Sequence, residues 1–455
     1  MAASADRFSR LAALKPARPS AMRAAEAALR APDEEDALGQ LLGAGVARNH
    51  FGEHLAIRNW YSTPEYSEPS VIALELLSRT RDKSLSGKTR STLEDPSRWL
   101  FLDTETTGLA GGTGTYAFLI GLAWWDAGGL QVEQFLMRDF TEEYSLLKEL
   151  AEHIKERPVL VTFNGKSFDW PLLENRFAMT RSIGAPKLAA HLDLLHPARV
   201  LWKLRLGSVR LVELERNVLD SQRLGWRRED DIESALIPQH YFDYLRGGPV
   251  APLAGIVRHN QLDLRGLAAL FCKINAMLSE SPDMREVCES LDLFGLSRFL
   301  QRRGNPGRAQ SACAQALAIG LPADVRPQAQ RELALMAKRN GEYQRAAEIW
   351  KEMVVDSQDE VHACEQLAIH YERRARDIER ALEYAKLGLA RLRRLRAGSL
   401  QGSSDPYQTA RLMRQEKAFK KRLARLERKA SLPSSPARRR CVPEEGAPKA
   451  NPALW

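Results

Sequence analysis

The chain lacks an apolar run long enough to cross a bilayer. Its longest strongly apolar stretch, Ala117 to Trp125, falls far short of the roughly 20 residues a membrane helix needs. No apolar core of the kind a secretory signal requires follows the N-terminus. Cysteine is scarce: five in 455 residues (Cys272, Cys288, Cys313, Cys364, Cys441), scattered and without a Cys-x-x-Cys pair. That spacing indicates neither a disulfide framework nor a zinc site. Together these absences lead to the expectation of a reduced, cytoplasmic protein with no membrane contact. What is present, 44% hydrophobic and 27% charged residues, is the composition of a globular chain of two or three domains.

The net charge of +9 is concentrated at one end. Residues 407–440 hold twelve Lys/Arg against Glu416 and Glu427, an excess of ten, so the rest of the chain sums to −1. Such a basic segment is an electrostatic handle for nucleic acid or a solvated helix face.

Composition and periodicity divide the chain into five parts. Residues 1–45 read as disordered or loosely helical. Residues 46–97 hold a strand-like run, Phe51–Ser62, a helical stretch, Ser70–Ser78, and a polar linker from about residue 80. Residues 98–280 have an α/β pattern: a buried strand at Trp99–Asp103, then a hairpin of Tyr116–Trp125 and Leu130–Met137 around Asp126-Ala-Gly-Gly. A helix after Thr141, a short strand at Pro158–Phe163 and a helix from Phe168 follow. Residues 290–397 are all-helical and repetitive. Arg308-Ala309, Arg345-Ala346 and Arg380-Ala381 open similar helices at spacings of 37 and 35 residues, which resembles tetratricopeptide repeats. Residues 398–455 form a basic helix and a disordered tail.

Three segments carry chemistry. In Leu102-Asp103-Thr104-Glu105-Thr106-Thr107-Gly108, the acids Asp103 and Glu105 are two apart at the end of an apolar strand, so they share one face. Like charges there repel, and desolvation disfavours both. A hard divalent cation between them removes the conflict, whereas an ordinary polar turn needs no such ion. In the second segment, Asn164-Gly165-Lys166-Ser167-Phe168-Asp169, the acid falls in the first turn of a helix. Asn164 and Lys166 beside it suit contacts with a phosphate or sugar. In the third, His259-Asn260-Gln261-Leu262-Asp263, the histidine and the acid are four apart and share a helical face.

Together the three segments resemble the DEDD superfamily of 3′–5′ exonucleases over about residues 98–272. The chain is similar, more narrowly, to bacterial ribonuclease H-like exonuclease-domain proteins of the YprB type, in which a helical-repeat region commonly follows. The narrower likeness rests on Asp103–Tyr116, Asn164–Leu173, His191–Arg199 and His259–Asp263. The resemblance implies an α/β ribonuclease H-like domain, a mixed sheet flanked by helices, followed by an all-α repeat domain. It implies that Asp103, Glu105, Asp169 and Asp263 hold two Mg²⁺ or Mn²⁺ ions and that His259 positions or deprotonates the attacking water. Thr106, Thr107 and the loop from Gly108 to Gly114 would approach the terminal nucleotide, with Asn164 and Lys166 as further contacts. Asp193 is a supporting acid, not a ligand.

The histidine subclass places its His five residues before the last Asp, and the tyrosine subclass its Tyr four before. This chain has the histidine at the tyrosine spacing, which aims the base differently around a helix. The implied activity is metal-dependent 3′–5′ hydrolysis of single-stranded DNA or RNA ends, with a protein partner for the repeats. The alternatives are a catalytically silent scaffold that binds nucleic acid and a phosphoesterase acting on small nucleotides.

Overall fold

A computed structural model describes residues 32–62, 95–108, 114–126, 128–221, 226, 228, 230–279, 288–356, 360–399 and 406–431. The helical stretch expected at Ser70–Ser78, residues 1–31, most of the linker and the tail beyond residue 431 lie outside the described residues. Two compact units divide the chain, residues 1–319 and 320–455.

The first unit opens with α1 (Pro32–Leu42), β1 (Gly45–Asn49) and β2 (Gly52–Tyr61). Then come β3 (Trp99–Thr106), β4 (Ala117–Asp126), β5 (Gly129–Leu136), α2 (Glu143–Glu156), β6 (Val159–Thr162), α3 (Asp169–Thr180) and β7 (Ala190–Asp193). It closes with α4 (Leu195–Leu206), α5 (Leu211–Asn217), α6 (Ile237–Leu245), α7 (Ala251–Leu278), α8 (Ser290–Arg302) and α9 (Pro306–Ile319). The strands form one seven-stranded mixed sheet in the order β1-β2-β5-β4-β3-β6-β7. β3, β6 and β7 run parallel, and the remaining pairs are antiparallel. The expected hairpin is β4–β5, with Gly128 at φ +78 in its turn. β2 extends the same sheet by pairing with β5, and β1 by pairing with β2, so residues 45–61 belong to the α/β layer. The 2-residue alternation of Leu55–Ile57 alone cannot reveal that pairing, because its partner lies more than 70 residues away.

β3 is a central strand covered on both faces, hence its unbroken apolar start. Trp99 and Phe101 meet Phe271 of α7, with ring centroids 5.2 and 5.8 Å apart. Leu100 and Leu102 point the other way, into the cluster containing Leu150 of α2 and Leu173 of α3. Asp103 and Glu105 continue the α7 side of this alternation, and Thr104 the α3 side.

α8 packs on α4, where Gly295 allows it to approach closely: a Cβ there would meet the Leu201 carbonyl oxygen at 2.3 Å. The second unit holds α10 (Arg326–Arg339), α11 (Tyr343–Asp356), α12 (Val361–His370), α13 (Ile378–Ser399) and α14 (Pro406–Ser431). The turn before each repeated Arg-Ala has the same build. Gly304, Gly341 and Arg376, each four residues before the arginine, have φ +75, +85 and +56. The next residues, Asn305, Glu342 and Asp377, accept through their carbonyls from the N–H groups of Ala309, Ala346 and Ala381. Those three alanines are fully buried, where only a small side chain lets the helices close.

His54 of β2 is fully buried, and its Nδ1 lies 2.9 Å from Ser145 Oγ. Burial pushes its pKa down to about 4. The unfolded chain therefore binds the proton more readily, so the contribution of neutral His54 is complete above about pH 6.5 and is lost as pH falls through 4. We expect His54→Gln to flatten the stability–pH curve of the α/β unit between those values, measured by urea unfolding. An unchanged acid limb would contradict this.

Candidate active site

The three chemical segments converge where β3 ends, α3 begins and α7 crosses the sheet. Asp103 and Glu105 project from β3 toward α7, Asp169 is the first residue of α3, and His259 and Asp263 lie one turn apart on α7. Burial drives Asp103 well above the ordinary carboxylate range, and the fields of Asp263, Asp169 and Glu105 push it further. Glu105 is raised in the same way by burial and then by Asp263, Asp169 and Asp231. Asp169 is raised by burial, against the Thr104 hydroxyl, which donates to its Oδ1 at 2.5 Å. The four acids thus share one electrostatic environment.

Two polar clusters hold the acids. The first runs along one row of the sheet, in which Asp103 faces Gly121 of β4 and Gly121 faces Gln134 of β5. Asn260 of α7 lies over this row. Its Nδ2 donates to Asp103 Oδ2 at 2.8 Å, and its Oδ1 accepts from Gln134 Nε2 at 2.8 Å. Gln134 also donates to the Val257 carbonyl at 2.9 Å, so the pair is fixed to α7. Gly121 leaves room for this bridge, since a Cβ would meet Asn260 Oδ1 at 2.1 Å.

The second cluster centres on Arg228, in the segment between α5 and α6. It pairs with both Glu215 oxygens at 2.7 Å, with Asp231 Oδ2 at 2.9 Å and with Asp263 Oδ1 at 2.5 Å. These carboxylates hold the guanidinium firmly charged against the cost of its burial. Gly266 on α7 makes space for Glu215, whose Oε1 would lie 2.1 Å from a Cβ. Asp231 Oδ2 also lies 2.9 Å from His259 Nδ1. Although burial raises its pKa, His259 and Arg228 bring Asp231 below the usual range. With Nδ1 donating to Asp231, a neutral His259 keeps its acceptor lone pair on Nε2. That atom lies 3.6 Å from Asp263 Oδ2, 4.0 Å from Glu105 Oε1 and 3.4 Å from Ser234 Oγ. The four-residue spacing therefore does aim the histidine at the acids.

The remaining sequence candidates frame this centre. Asn164 adopts the left-handed conformation, φ +69, which asparagine tolerates better than most residues. Asp193 at the end of β7 fastens that turn, accepting from the N–H groups of Asn164 at 2.8 Å, Lys166 at 3.2 Å and Leu195 at 3.0 Å. Thr106 Oγ1 donates to the Gly108 carbonyl at 3.0 Å, and buried Thr107 Oγ1 accepts from Tyr116 N–H at 2.9 Å. Both hydroxyls thus brace the end of β3. Residues 109–113 of the glycine loop lie outside the described residues. A solvent-open cavity of about 440 Å³, lined by His50, Phe51, Lys148, Glu152, Lys155 and Lys187, contains none of these groups.

The donor chemistry of the four acids suits hard divalent cations, since every ligating atom would be a carboxylate oxygen. Among the described residues, no three of His, Cys, Asp or Glu close around one point in ligand geometry. Asp263 shares one oxygen with Arg228.

Residues 100–275 match the RNase_H superfamily model, so the chain carries an RNase_H-superfamily domain, and the seven-stranded sheet with its flanking helices has the ribonuclease H-like fold. This supports a nucleic-acid-processing hydrolase as the general class. The chain is also similar to the uncharacterized protein YprB of Bacillus subtilis (strain 168), 29% identical over 298 residues, covering 64% of this chain and 68% of that protein. No helix among the described residues is long and apolar enough to cross a membrane.

Sequence reasoning missed Asn260, Gln134, Arg228, Asp231 and Glu215. Gly121, alone in an apolar strand, signals a close backbone approach. We expect Gly121→Ala to lower the melting temperature less in an Asn260→Ala background than in the wild type, because the collision with Asn260 is removed and only the one with Leu264 Cδ1, at 2.7 Å, remains. The corresponding coupling energy should be about 1 kcal/mol or more. Equal losses in both backgrounds would show that Asn260 does not occupy that space.

Proposed function

We propose that the chain is a metal-dependent 3′–5′ exonuclease acting on single-stranded ends of DNA or RNA. The observation that carries this reading is the grouping of Asp263, Asp169 and Glu105 around Asp103, whose carboxyl their fields raise beyond what its burial alone does. These four carboxylates would hold two Mg²⁺ or Mn²⁺ ions. When bound, such ions supply Lewis-acid stabilisation to the attacking and leaving oxygens of an in-line displacement. His259 takes the water proton on Nε2, and Asp231 fixes its ring through Nδ1. Asn260 holds Asp103 in place, Asp193 holds the Asn164–Lys166 turn, and Asn164, Lys166, Thr106, Thr107 and Gly108 contact the terminal nucleotide.

The helix–turn–helix units read as tetratricopeptide-like, with a protein partner on their surface. We place the chain in a reducing, cytoplasmic setting on the scattered spacing of its cysteines. One observation favours a second reading, a catalytically silent nucleic-acid-binding scaffold: Arg228 already neutralises part of the acid set through Asp263.

Oligonucleotides labelled at either end separate the readings. With Mg²⁺ or Mn²⁺ the wild type should shorten single strands from the 3′ end, and Asp103→Ala should reduce this to background. His259→Ala should lower turnover about 10²–10⁴-fold, the range for loss of a general base. Intact substrate under both metals would leave the scaffold reading, and degradation confined to dinucleotides would indicate a small-nucleotide phosphoesterase.

A further inference from the structure

The excess charge of the C-terminal region is not equally available, and α14 shows how it is divided. One face of this helix is apolar and fixed. Phe419 and Leu426 are buried, and Phe419 packs with Val361, Leu389 and Leu392. The Phe419 ring lies over Gly388 of α13, where a Cβ would meet its Cε1 at 2.6 Å. The rotation of α14 about its axis is therefore set by packing. Four cations of this helix are already committed. Arg422 pairs with Glu365 at 3.1 Å, Arg425 and Lys429 pair with Glu372 at 2.6 and 2.7 Å, and Lys420 pairs with Glu416 at 2.8 Å.

Five cations remain. Arg411, Arg414, Lys417, Lys421 and Arg428 are exposed, and among the described residues none of them reaches a carboxylate. At 100° per residue they fall within an arc of about 120°, which also carries Arg425 and, at its edge in line with Arg411, Lys429, both held by Glu372, and the positions of the five span about 26 Å of helix. Glu416, next to Lys417, is buried and paired, and Glu427, next to Arg428, projects about 80° from the closest of the five. A row of like charges adds self-repulsion and contributes nothing to the packing of the helix. It complements a linear polyanion.

We infer that this face of α14 binds the phosphate backbone of a single-stranded nucleic acid, as a contact surface separate from the acid cluster of the first unit. A nucleic-acid strand is the polyanion that suits a chain carrying an RNase_H-superfamily domain. The binding is electrostatic and independent of sequence, so it needs no divalent ion.

The test uses the full chain in EDTA, with fluorescence anisotropy of labelled single-stranded DNA and RNA across a range of KCl concentrations. A variant with Arg411, Arg414, Lys417, Lys421 and Arg428 all changed to Gln keeps the buried face. Its circular dichroism and melting temperature should match the wild type. The slope of log affinity against log salt should fall in magnitude by about 3.5, from about 0.7 for each of five lost phosphate contacts. At low salt, affinity should drop about tenfold or more. A control with Lys155, Lys187, Lys203, Arg302 and Arg339 changed to Gln removes equal charge and should keep the wild-type slope. An unchanged slope in the α14 variant overturns the inference, as does an equal loss in the control. Binding to anionic phospholipid vesicles without binding to either oligonucleotide also overturns it, in favour of a membrane surface. None of these outcomes bears on cleavage, which is read separately with metal present.

Discussion

Four partly buried carboxylates brought together form the constraint around which the first unit is arranged. Mutual repulsion and desolvation oppose ionisation of Asp103 and Glu105, and the fold meets that cost with specific neutral and cationic partners. Asn260 donates to Asp103, Thr104 donates to Asp169, and Arg228 pairs with Asp263. Each partner has its own support. Gly121 clears space for Asn260, Gln134 holds its far side, and Glu215 and Asp231 fix the guanidinium of Arg228. Buried polar networks of this kind are stable only when nearly every member is satisfied.

Arg228 has a double position in this arrangement. It anchors Asp231, which orients His259, and it also shares Asp263, the last acid of the set. A guanidinium is always charged, so it balances the acids at any physiological pH. Occupation of the acid set by divalent ions would therefore meet a competing resident cation at Asp263.

Much of this was legible in the sequence where the signal is local. The period-2 alternation of β3 put Asp103 and Glu105 on one face, and a four-residue interval put His259 beside Asp263 on α7. The Arg-Ala repeats marked equivalent turns, and Arg376 shows that a left-handed residue recurs even where glycine does not. The illegible parts are those made by distant pairing. β1 and β2 join the sheet through β5, and Arg228 reaches Asp263 across 35 residues of chain, with no motif at either end. Gln134 and Asn260 are ordinary polar residues until the register of three strands sets Gln134 in line with Asp103 and α7 lays Asn260 across them. In the same way, the sequence counts the cations of α14 but cannot say which are consumed by Glu372 and Glu416.

The central claim is that the acid cluster is a divalent-cation site, and Mn²⁺ titration of the purified chain, followed by electron paramagnetic resonance, tests it most directly. The account predicts that about two ions bind per chain, as in two-metal sites. Both should be lost in Asp103→Asn, with the circular dichroism spectrum unchanged. Absence of saturable binding, or binding that survives Asp103→Asn, would contradict it.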